Sequence, residues 1–253
     1  MNEKIVKYLE RIGYSGDLSL NAGLLASIQE LHVKTVPYEN LDVLAGVPIS
    51  LAPDALYEKI IIRKRGGFCF ELNALYSWFL SELGFSVTNY FARYLMNSDV
   101  IPKRRHHVII VEIEGKKILC DVGVGNEAPR RTLVLELDTV QSDGFGEYKF
   151  EYDDFLGWIL LQNYKGQWRR QYSFTEDPQI PSDFEAISFY CEKHPLSIFN
   201  KQRIVAIKTS GGRKTLDGNI FKIFDGGSVE VTEAQNDAQI RELLMEYFGI
   251  SLS

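Results

Sequence analysis

Cysteine is scarce in this sequence, and the three that occur, Cys69, Cys120 and Cys191, lie far apart. An odd number at such spacing excludes a disulfide framework and provides no close-spaced pair for a metal, so we expect no metal cofactor. Long apolar runs are also lacking, and the first residues do not contain the hydrophobic core of a signal peptide. We therefore expect a cytoplasmic protein without a membrane partner.

An excess of positive charge is absent too. The 28 Lys and Arg residues are outnumbered by 34 Asp and Glu residues, which gives a net charge of −6. The sequence also lacks a basic arm. This balance argues against nucleic acid as a partner, and nothing in the sequence defines an oligomeric state.

What the chain does contain is 45% hydrophobic residues in a length of 253, enough to bury a large core. Residues 1–85 carry helical periodicity and predict a helical bundle. Residues 86–199 contain short alternating, aromatic-rich runs that predict antiparallel strands. Residues 200–253 combine strand-like runs with a closing helix from Ala238 to Phe248. The sequence therefore predicts an α+β protein in three parts.

One thiol stands where a glycine turn becomes a helix. Within residues 65–73, two glycines permit a tight backbone just before Cys69. The apolar residues of this region follow a helical period until Gly84: Phe68, Leu72, Leu75, Phe79 and Leu83. In the first turn of a helix, the unpaired N–H groups and the helix dipole favour the thiolate, which is the form that attacks carbon. The alternative interpretation of Cys69 is a small buried hydrophobic residue.

A histidine and an aspartate follow in a hairpin pattern. Strand-like residues on both sides of Glu114-Gly115 predict two antiparallel strands joined by a two-residue turn. With this register, His106 lies diagonally beside Asp121 on one face of the hairpin, and His107 points to the other face. An odd-numbered loop or a bulge would reverse the two histidines.

These residues resemble the motifs of the arylamine N-acetyltransferase family. The resemblance covers most of the chain and rests on five segments: VPYENLD (36–42), RGGFCFELN (65–73), DVGVG (121–125), PSDFE (181–185) and HPLSIF (194–199). It implies an N-terminal helical bundle, a central antiparallel β-barrel and a C-terminal α/β lid, with a triad arranged as in cysteine proteases. It also implies that Cys69 is the acyl-carrying nucleophile, His106 its base and Asp121 the residue that orients the histidine.

Physical chemistry gives the same roles. If Asp121 accepts one ring N–H of His106, it fixes the tautomer, and the other ring nitrogen can take the Cys69 proton. The thiolate would attack the thioester of acetyl-CoA, and an arylamine or arylhydrazine would then attack the acetyl-cysteine in a ping-pong reaction. Acetyl-CoA is therefore the expected cosubstrate, and the resemblance implies a role in xenobiotic metabolism.

Two further stretches are candidates for contacts with coenzyme A. Residues 210–215 resemble a phosphate loop but lack its spacing, and a glycine hairpin turn is the preferred explanation of their pattern. The family resemblance implies Thr209, Gly212 and Arg213 as cofactor contacts. The basic run at residues 103–105 could meet the phosphates of the coenzyme, or it could be solvated surface.

The resemblance also implies that the acceptor amine lies against Tyr38, Phe68, Val124 and Phe199. Two of these residues depart from the phenylalanine that the family often has. Val124 stands in the Asp-Val-Gly motif, and Tyr38 adds a hydroxyl group. The smaller side chain of Val124 predicts an enlarged or reshaped acceptor pocket.

Other polar residues near the motifs are interpreted as structural. Glu71 and Asn73 are expected to hold the start of the nucleophile helix rather than to transfer protons. His32 and His194 have no triad partners in the sequence.

Two other classes of function fit parts of the pattern. A papain-like thiol hydrolase or a transglutaminase would use the same triad on another substrate, since such triads recur on unrelated folds. A non-catalytic coenzyme-binding protein could keep the scaffold. The intact set of Cys69, His106 and Asp121 argues against this second alternative.

Overall fold

The structure, a computed structural model, describes residues 2–96, 100–125 and 129–252. Its N-terminal part is helical, as predicted. Side-chain caps from Asn2 and Asn21 begin the first two helices, and Gly13 in a left-handed conformation ends the first. The elements of this part are α1 (Glu3–Ile12), α2 (Ala22–Thr35), the short strand β1 (Tyr38–Glu39), α3 (Leu41–Leu44), α4 (Pro53–Tyr57), which continues into a π-helical turn (Glu58–Ile62), and α5 (Cys69–Leu83).

Helix α5, which begins at Cys69, is buried along most of its length. It packs against α1, where the rings of Phe79 and Tyr8 stack with centroids 3.8 Å apart. Gly84 follows the helix with a φ of 103°, a conformation that favours glycine. Both ends of α5 therefore lie where the sequence predicts them.

An eight-stranded antiparallel sheet forms a nearly closed barrel. Its strands are β2 (Ser86–Tyr94), β3 (His106–Ile113), β4 (Lys116–Cys120), β5 (Leu133–Val134), β6 (Gln141–Ser142), β7 (Glu147–Asp153), β8 (Gly157–Tyr164) and β9 (Gln167–Gln179). Their order is β5-β4-β3-β2-β9-β8-β7-β6. The side-chain amide of Gln141 bonds both the N–H and the C=O of Val134, each at 2.7 Å. A side chain thus links the two edge strands.

The β3–β4 hairpin has the predicted register. Ile113 pairs with Lys116, which leaves Glu114 and Gly115 as a two-residue loop. Both loop residues have positive φ, 53° and 72°, as a type I′ turn requires. This register places His106 on the face predicted from the sequence.

The C-terminal part is an antiparallel sheet with a helix on one face. Its elements are β10 (Ile204–Lys208), β11 (Gly212–Asp217), β12 (Ile220–Asp225), β13 (Ser228–Glu233) and α7 (Asp237–Phe248). β1 pairs with β10, so a strand of the N-terminal part forms one edge of this sheet. The core between sheet and helix contains Val205, Leu216, Phe221, Ile240, Leu244 and Phe248. The predicted fold class is confirmed, whereas the boundaries at residues 85 and 199 stay a prediction.

One element differs from the expectation. The middle part is not β throughout, because it contains the helix α6 (Asp183–Lys193), whose Phe184 and Cys191 are buried and whose first turn holds acidic residues. The glycine stretch agrees with the expectation of a hairpin turn, since residues 210 and 211 lie in the turn between β10 and β11 and residues 212–215 belong to β11. Among the helices of the described residues, none combines the length and the apolar character needed to cross a membrane.

Candidate active site

Close contacts around two glycines fix the first turn of α5. A Cβ atom on Gly66 would lie 1.9 Å from the backbone oxygen of Pro37, and one on Gly67 would lie 2.8 Å from the Cβ of Glu71. A side chain at either position would have to displace backbone or a buried carboxylate. The two glycines therefore allow the turn to pack directly against β1 and α5.

A buried series of charges supports the same turn. The Glu71 carboxylate accepts a hydrogen bond from the Phe68 N–H at 3.2 Å, which satisfies one free donor at the helix start. Lys59 Nζ lies 2.7 Å from Glu71 and 2.8 Å from Asp42, and Arg65 binds Asp42 in turn. Burial raises the pKa of Glu71 to about 7, although Lys59 acts to lower it. Glu71 thus holds the helix start, as predicted.

Asp121 is fixed by three hydrogen bonds. Its Oδ2 accepts from His106 Nε2 at 2.8 Å, and its Oδ1 accepts from Asn73 Nδ2 and the Gly123 N–H, each at 2.8 Å. Burial acts to raise the pKa of Asp121, but His106 and the hydrogen bonds outweigh this effect and hold the pKa below its ordinary value. An ionised carboxylate can only accept, so the hydrogen of the His106 ring lies on Nε2.

Asn73 joins α5 to the hairpin. Its Nδ2 also donates to the backbone oxygen of His107, and its Oδ1 accepts from the Val122 N–H at 2.9 Å. The expectation that Asn73 holds the helix start is therefore wrong, because its amide contacts β3 and the segment after β4. Its spacing of four residues from Cys69, which puts both on one helix face, is the signal that could have indicated this.

His107 points away from the aspartate, as the hairpin register predicts. Its Nε2 lies 2.9 Å from Asn89 Oδ1, and its ring stacks on Phe184 with centroids 4.0 Å apart. Burial lowers the pKa of His107 to about 3, and the neighbouring His106 adds to the effect. His107 is thus a neutral, buried histidine packed between the barrel and α6.

The Cys69 thiol lies against the start of β3. Its Sγ donates to the backbone oxygen of Arg105 at 3.8 Å, and Arg105 immediately precedes His106. Burial raises the pKa of the Cys69 thiol well above its ordinary value, whereas the N–H groups of Phe70 and of Cys69 itself act to lower it. The N–H groups at the helix start therefore act in the direction predicted from the sequence, but burial outweighs them. Deprotonation requires a base.

A cavity of about 230 Å³ opens beside these residues. The structure brings three of the four predicted acceptor contacts to its wall: Tyr38, Val124 and Phe199. Phe68 is fully buried, and its ring packs against Phe199 with centroids 5.6 Å apart. Gly123 also lines the cavity, and a Cβ atom there would lie 2.9 Å from Cys69 Cα. The cavity is therefore adjacent to Cys69.

Comparison with known proteins agrees with this geometry. A family model described as N-acetyltransferase matches residues 21–253. The arylamine N-acetyltransferase of Mycobacterium tuberculosis is 32% identical over 255 residues, covering 98% of this chain and 90% of the relative. The chain belongs to the arylamine N-acetyltransferase family. The resemblance stated from the sequence motifs is thereby confirmed.

Solved structures of arylamine N-acetyltransferases share the whole fold. The one from Salmonella typhimurium has a TM-score of 0.95 at 27% identity, covering 100% of this chain and 93% of that one. The one from Mycobacterium marinum, solved in complex with CoA, has a TM-score of 0.91 at 30% identity, covering 97% and 92%.

The predicted coenzyme contacts of this arylamine N-acetyltransferase fold lie in the turn before β11 and in the first two residues of that strand. Thr209 Oγ1 accepts from the Gly212 N–H at 3.0 Å, and the Gly212 oxygen accepts from Arg130 Nη2 at 2.8 Å. Gly212 and Arg213 line a separate cavity of about 100 Å³. Thr209, Gly212 and Arg213 are not among the described residues that line the cavity beside Cys69. Their contact with coenzyme A stays a prediction.

The three basic residues at positions 103–105 each make a different contact. Lys103 Nζ lies 5.2 Å from the centroid of the Tyr190 ring. Arg104 Nη2 donates a hydrogen bond to the hydroxyl of Thr175 on β9. Arg105 lines the cavity beside Cys69, as does Asp217 at the end of β11. Sequence reasoning missed Asp217, because only the pairing of β11 with β10, and of β10 with β1, brings it to this cavity.

Proposed function

We propose that this chain transfers an acetyl group from acetyl-CoA to arylamines and arylhydrazines through an acetyl-cysteine formed on Cys69. One observation carries the proposal: His106 Nε2 is held by Asp121 at 2.8 Å, at the strand end where the Cys69 thiol packs. The relative from Mycobacterium marinum, solved in complex with CoA, supports coenzyme A as the carrier of the acetyl group.

The first half-reaction forms the acetyl-enzyme. Because Asp121 accepts the Nε2 hydrogen, Nδ1 of His106 is available to take the proton of Cys69. The thiolate then attacks the carbonyl carbon of the acetyl thioester. Collapse of the tetrahedral intermediate expels the coenzyme thiolate, which recovers the proton from His106 and leaves as a thiol. The ionised Asp121 stabilises the transient imidazolium.

The tetrahedral intermediate carries a negative oxygen that needs hydrogen-bond donors. We infer that backbone N–H groups at the start of α5, including that of Cys69, supply them. The positive end of the helix dipole adds to this stabilisation.

The second half-reaction returns the free thiol. The amine nitrogen attacks the carbonyl carbon of acetyl-Cys69, His106 removes a proton from that nitrogen, and the Cys69 thiolate leaves and is protonated again. The aromatic side chains of Tyr38 and Phe199 on the cavity wall suit an acceptor ring. Because both half-reactions use the same base and the same thiol, donor and acceptor react in turn, and the kinetics are ping-pong.

Mass spectrometry of the protein mixed with acetyl-CoA alone tests the proposal. We expect one acetyl group on the peptide that contains Cys69 and an equal amount of free coenzyme A. Cys69→Ala should abolish the adduct, whereas Cys120→Ala, a matched change at another buried cysteine, should preserve it. An adduct on Cys120 or Cys191 in the unchanged protein would contradict the assignment.

The same experiment separates the alternative functions. A papain-like hydrolase or a transglutaminase would be acylated by a peptide or by a glutamine side chain, and acetyl-CoA would leave Cys69 unmodified. A non-catalytic coenzyme-binding protein would bind acetyl-CoA without releasing a free thiol. Only the acetyltransferase would pass the acetyl group on to an arylhydrazine.

A further inference from the structure

The cavity beside Cys69 has two charged side chains among the described residues of its wall, Arg105 and Asp217. They belong to different parts of the fold, since Arg105 precedes β3 of the barrel and Asp217 ends β11 of the C-terminal sheet. No ion pair joins them in the described structure. Most of the remaining wall is apolar or aromatic, so these two charges dominate its electrostatics.

Asp217 faces the cavity from the side of the C-terminal sheet. It pairs with Ile204 across the strands and lies on the same face of β11 as Thr215, and both of these residues also line the cavity. Within the described residues, no donor makes a hydrogen bond to the Asp217 carboxylate. Partial burial raises the pKa of Asp217, against the effect of Lys222. Asp217 is nevertheless exposed, and no described group lies close enough to neutralise its carboxylate, so a group bound in the cavity can reach it.

We propose that Asp217 selects acceptors that carry a cationic or hydrogen-bond-donating group away from the reacting nitrogen, and that it disfavours acceptors with a carboxylate there. This inference rests on the proposed function, because it assigns the cavity to the acceptor.

The geometry sets the direction of this selection. Gly123 and the backbone of Arg105 lie at the nucleophile, so the reacting nitrogen of the acceptor must approach that side of the cavity. The far end of an aromatic ring then points toward the wall formed by the C-terminal sheet, where Asp217 lies. A positive or donor group there supplies the partner that the carboxylate lacks, and a second carboxylate is repelled.

The test uses acetyl-enzyme prepared from acetyl-CoA and separated from the coenzyme. Its reaction is followed with three acceptors that differ only in the para group: 4-aminobenzamidine, 4-aminobenzamide and 4-aminobenzoate. Each acceptor is compared with itself in the unchanged protein, in Asp217→Asn and in Glu230→Gln. Glu230 is an exposed carboxylate on β13 of the same sheet, outside the cavity wall, so it controls for the loss of one negative charge.

We expect Asp217→Asn to lower the second-order rate constant for the amidine about fivefold and to raise it for the carboxylate by a similar factor, as for a partly exposed charge pair. The rate constant for the amide should change less than about twofold. Glu230→Gln should change the rate constant of each of the three acceptors by less than about twofold as well. Equal changes for all three acceptors with Asp217→Asn would overturn the inference. A preference of the unchanged protein for 4-aminobenzoate would also overturn it, because Arg105 and not Asp217 would then determine which acceptor is selected. If no acetyl-enzyme forms at all, the proposed function itself fails.

Discussion

Asn73 donates a hydrogen bond to Asp121 Oδ1 at 2.8 Å, so the helix that begins with Cys69 also holds the carboxylate that accepts from His106. Cys69 and Asn73 lie one helical turn apart on α5. The thiol and the carboxylate that binds His106 are therefore both tied to one rigid helix and not to two independent loops.

This relationship predicts the effect of removing the Asn73 amide. Asn73→Ala leaves the buried Val122 N–H without its acceptor and removes a donor to Asp121. We expect the free energy of unfolding to fall by about 2–4 kcal/mol, as for unpaired buried polar groups. Formation of acetyl-Cys69 should slow by about 10- to 100-fold, because the carboxylate is no longer held. Urea unfolding and single-turnover acetylation measure the two effects.

A matched variant separates stability from positioning. Asn89→Ala removes the hydrogen-bond partner of His107, whose side chain lies on the face of the hairpin opposite to His106. It should destabilise the protein and leave the acetylation rate of the folded enzyme nearly unchanged. Equal slowing by both variants would mean that Asn73 acts only through the stability of the fold.

The two adjacent histidines should differ sharply in their effect on the thiol. Burial raises the pKa of Cys69, so alkylation by iodoacetamide at neutral pH depends on the base that removes its proton. His106→Gln should slow alkylation about a hundredfold or more, and His107→Gln less than about twofold. Peptide mapping after timed alkylation gives both rates. The reverse ranking would remove His106 from the site.

Much of the geometry of the proposed site can be predicted from the sequence, because it depends on residues that are close together in the chain. Glu114-Gly115 can adopt the two positive φ angles of a type I′ turn, and that loop length alone sets which histidine faces Asp121. The start of α5 at Cys69 follows from two glycines and a helical apolar period. The helix–hairpin contact through Asn73 was missed, because it joins residues that are 48 positions apart.

The opposite wall of the cavity is much less predictable. Tyr38 pairs with Ala206, and Ala206 with Thr215, so the wall is assembled from three distant segments. No pattern within any one segment specifies that pairing. Helix α6 departs from the prediction for a different reason, because it lies within a region whose sequence predicts strands. The spacing of seven residues between Phe184 and Cys191, as on one helix face, is the signal that indicates a helix there.

Val124 is expected to control the size of the acceptor. It lines the cavity and packs on the barrel core, so a larger ring at this position would occupy space beside the acetyl-cysteine. Val124→Phe should slow acetyl transfer to bulky arylamines about tenfold or more, the effect of about 1–3 kcal/mol of overpacking, and should spare small hydrazines. Transfer rates from preformed acetyl-enzyme to one bulky and one small acceptor provide the measurement. Equal losses for both would place Val124 outside the acceptor pocket.

Acidification should destabilise the protein through His107. Burial lowers its pKa to about 3, well below the ordinary value of 6.5. As pH falls below 6.5, the unfolded chain takes up a proton at this site that the folded protein does not, so the free energy of unfolding decreases. Between pH 7.5 and pH 5, we expect this residue to account for a loss of about 2 kcal/mol.

Comparison with His107→Gln isolates that contribution. Glutamine can still bond Asn89 but does not titrate, so the loss of stability on acidification should be smaller by the same amount. Other titrating groups are common to both proteins and cancel in the difference. Urea unfolding at the two pH values measures it, and an identical loss in both proteins would show that His107 takes up its proton equally in the folded protein and in the unfolded chain.

The most direct test of the central claim is the fate of the isolated acetyl-enzyme. Acetyl-Cys69 enzyme, freed of coenzyme A, is mixed with a saturating arylhydrazine in a quenched-flow instrument, and the rate of acetyl transfer is compared with kcat for the complete reaction. Our account predicts full transfer without coenzyme A, at a rate at least equal to kcat, with return of the free thiol. An acetyl-cysteine that persists, or that reacts more slowly than kcat, would contradict it and would require direct transfer between the two substrates.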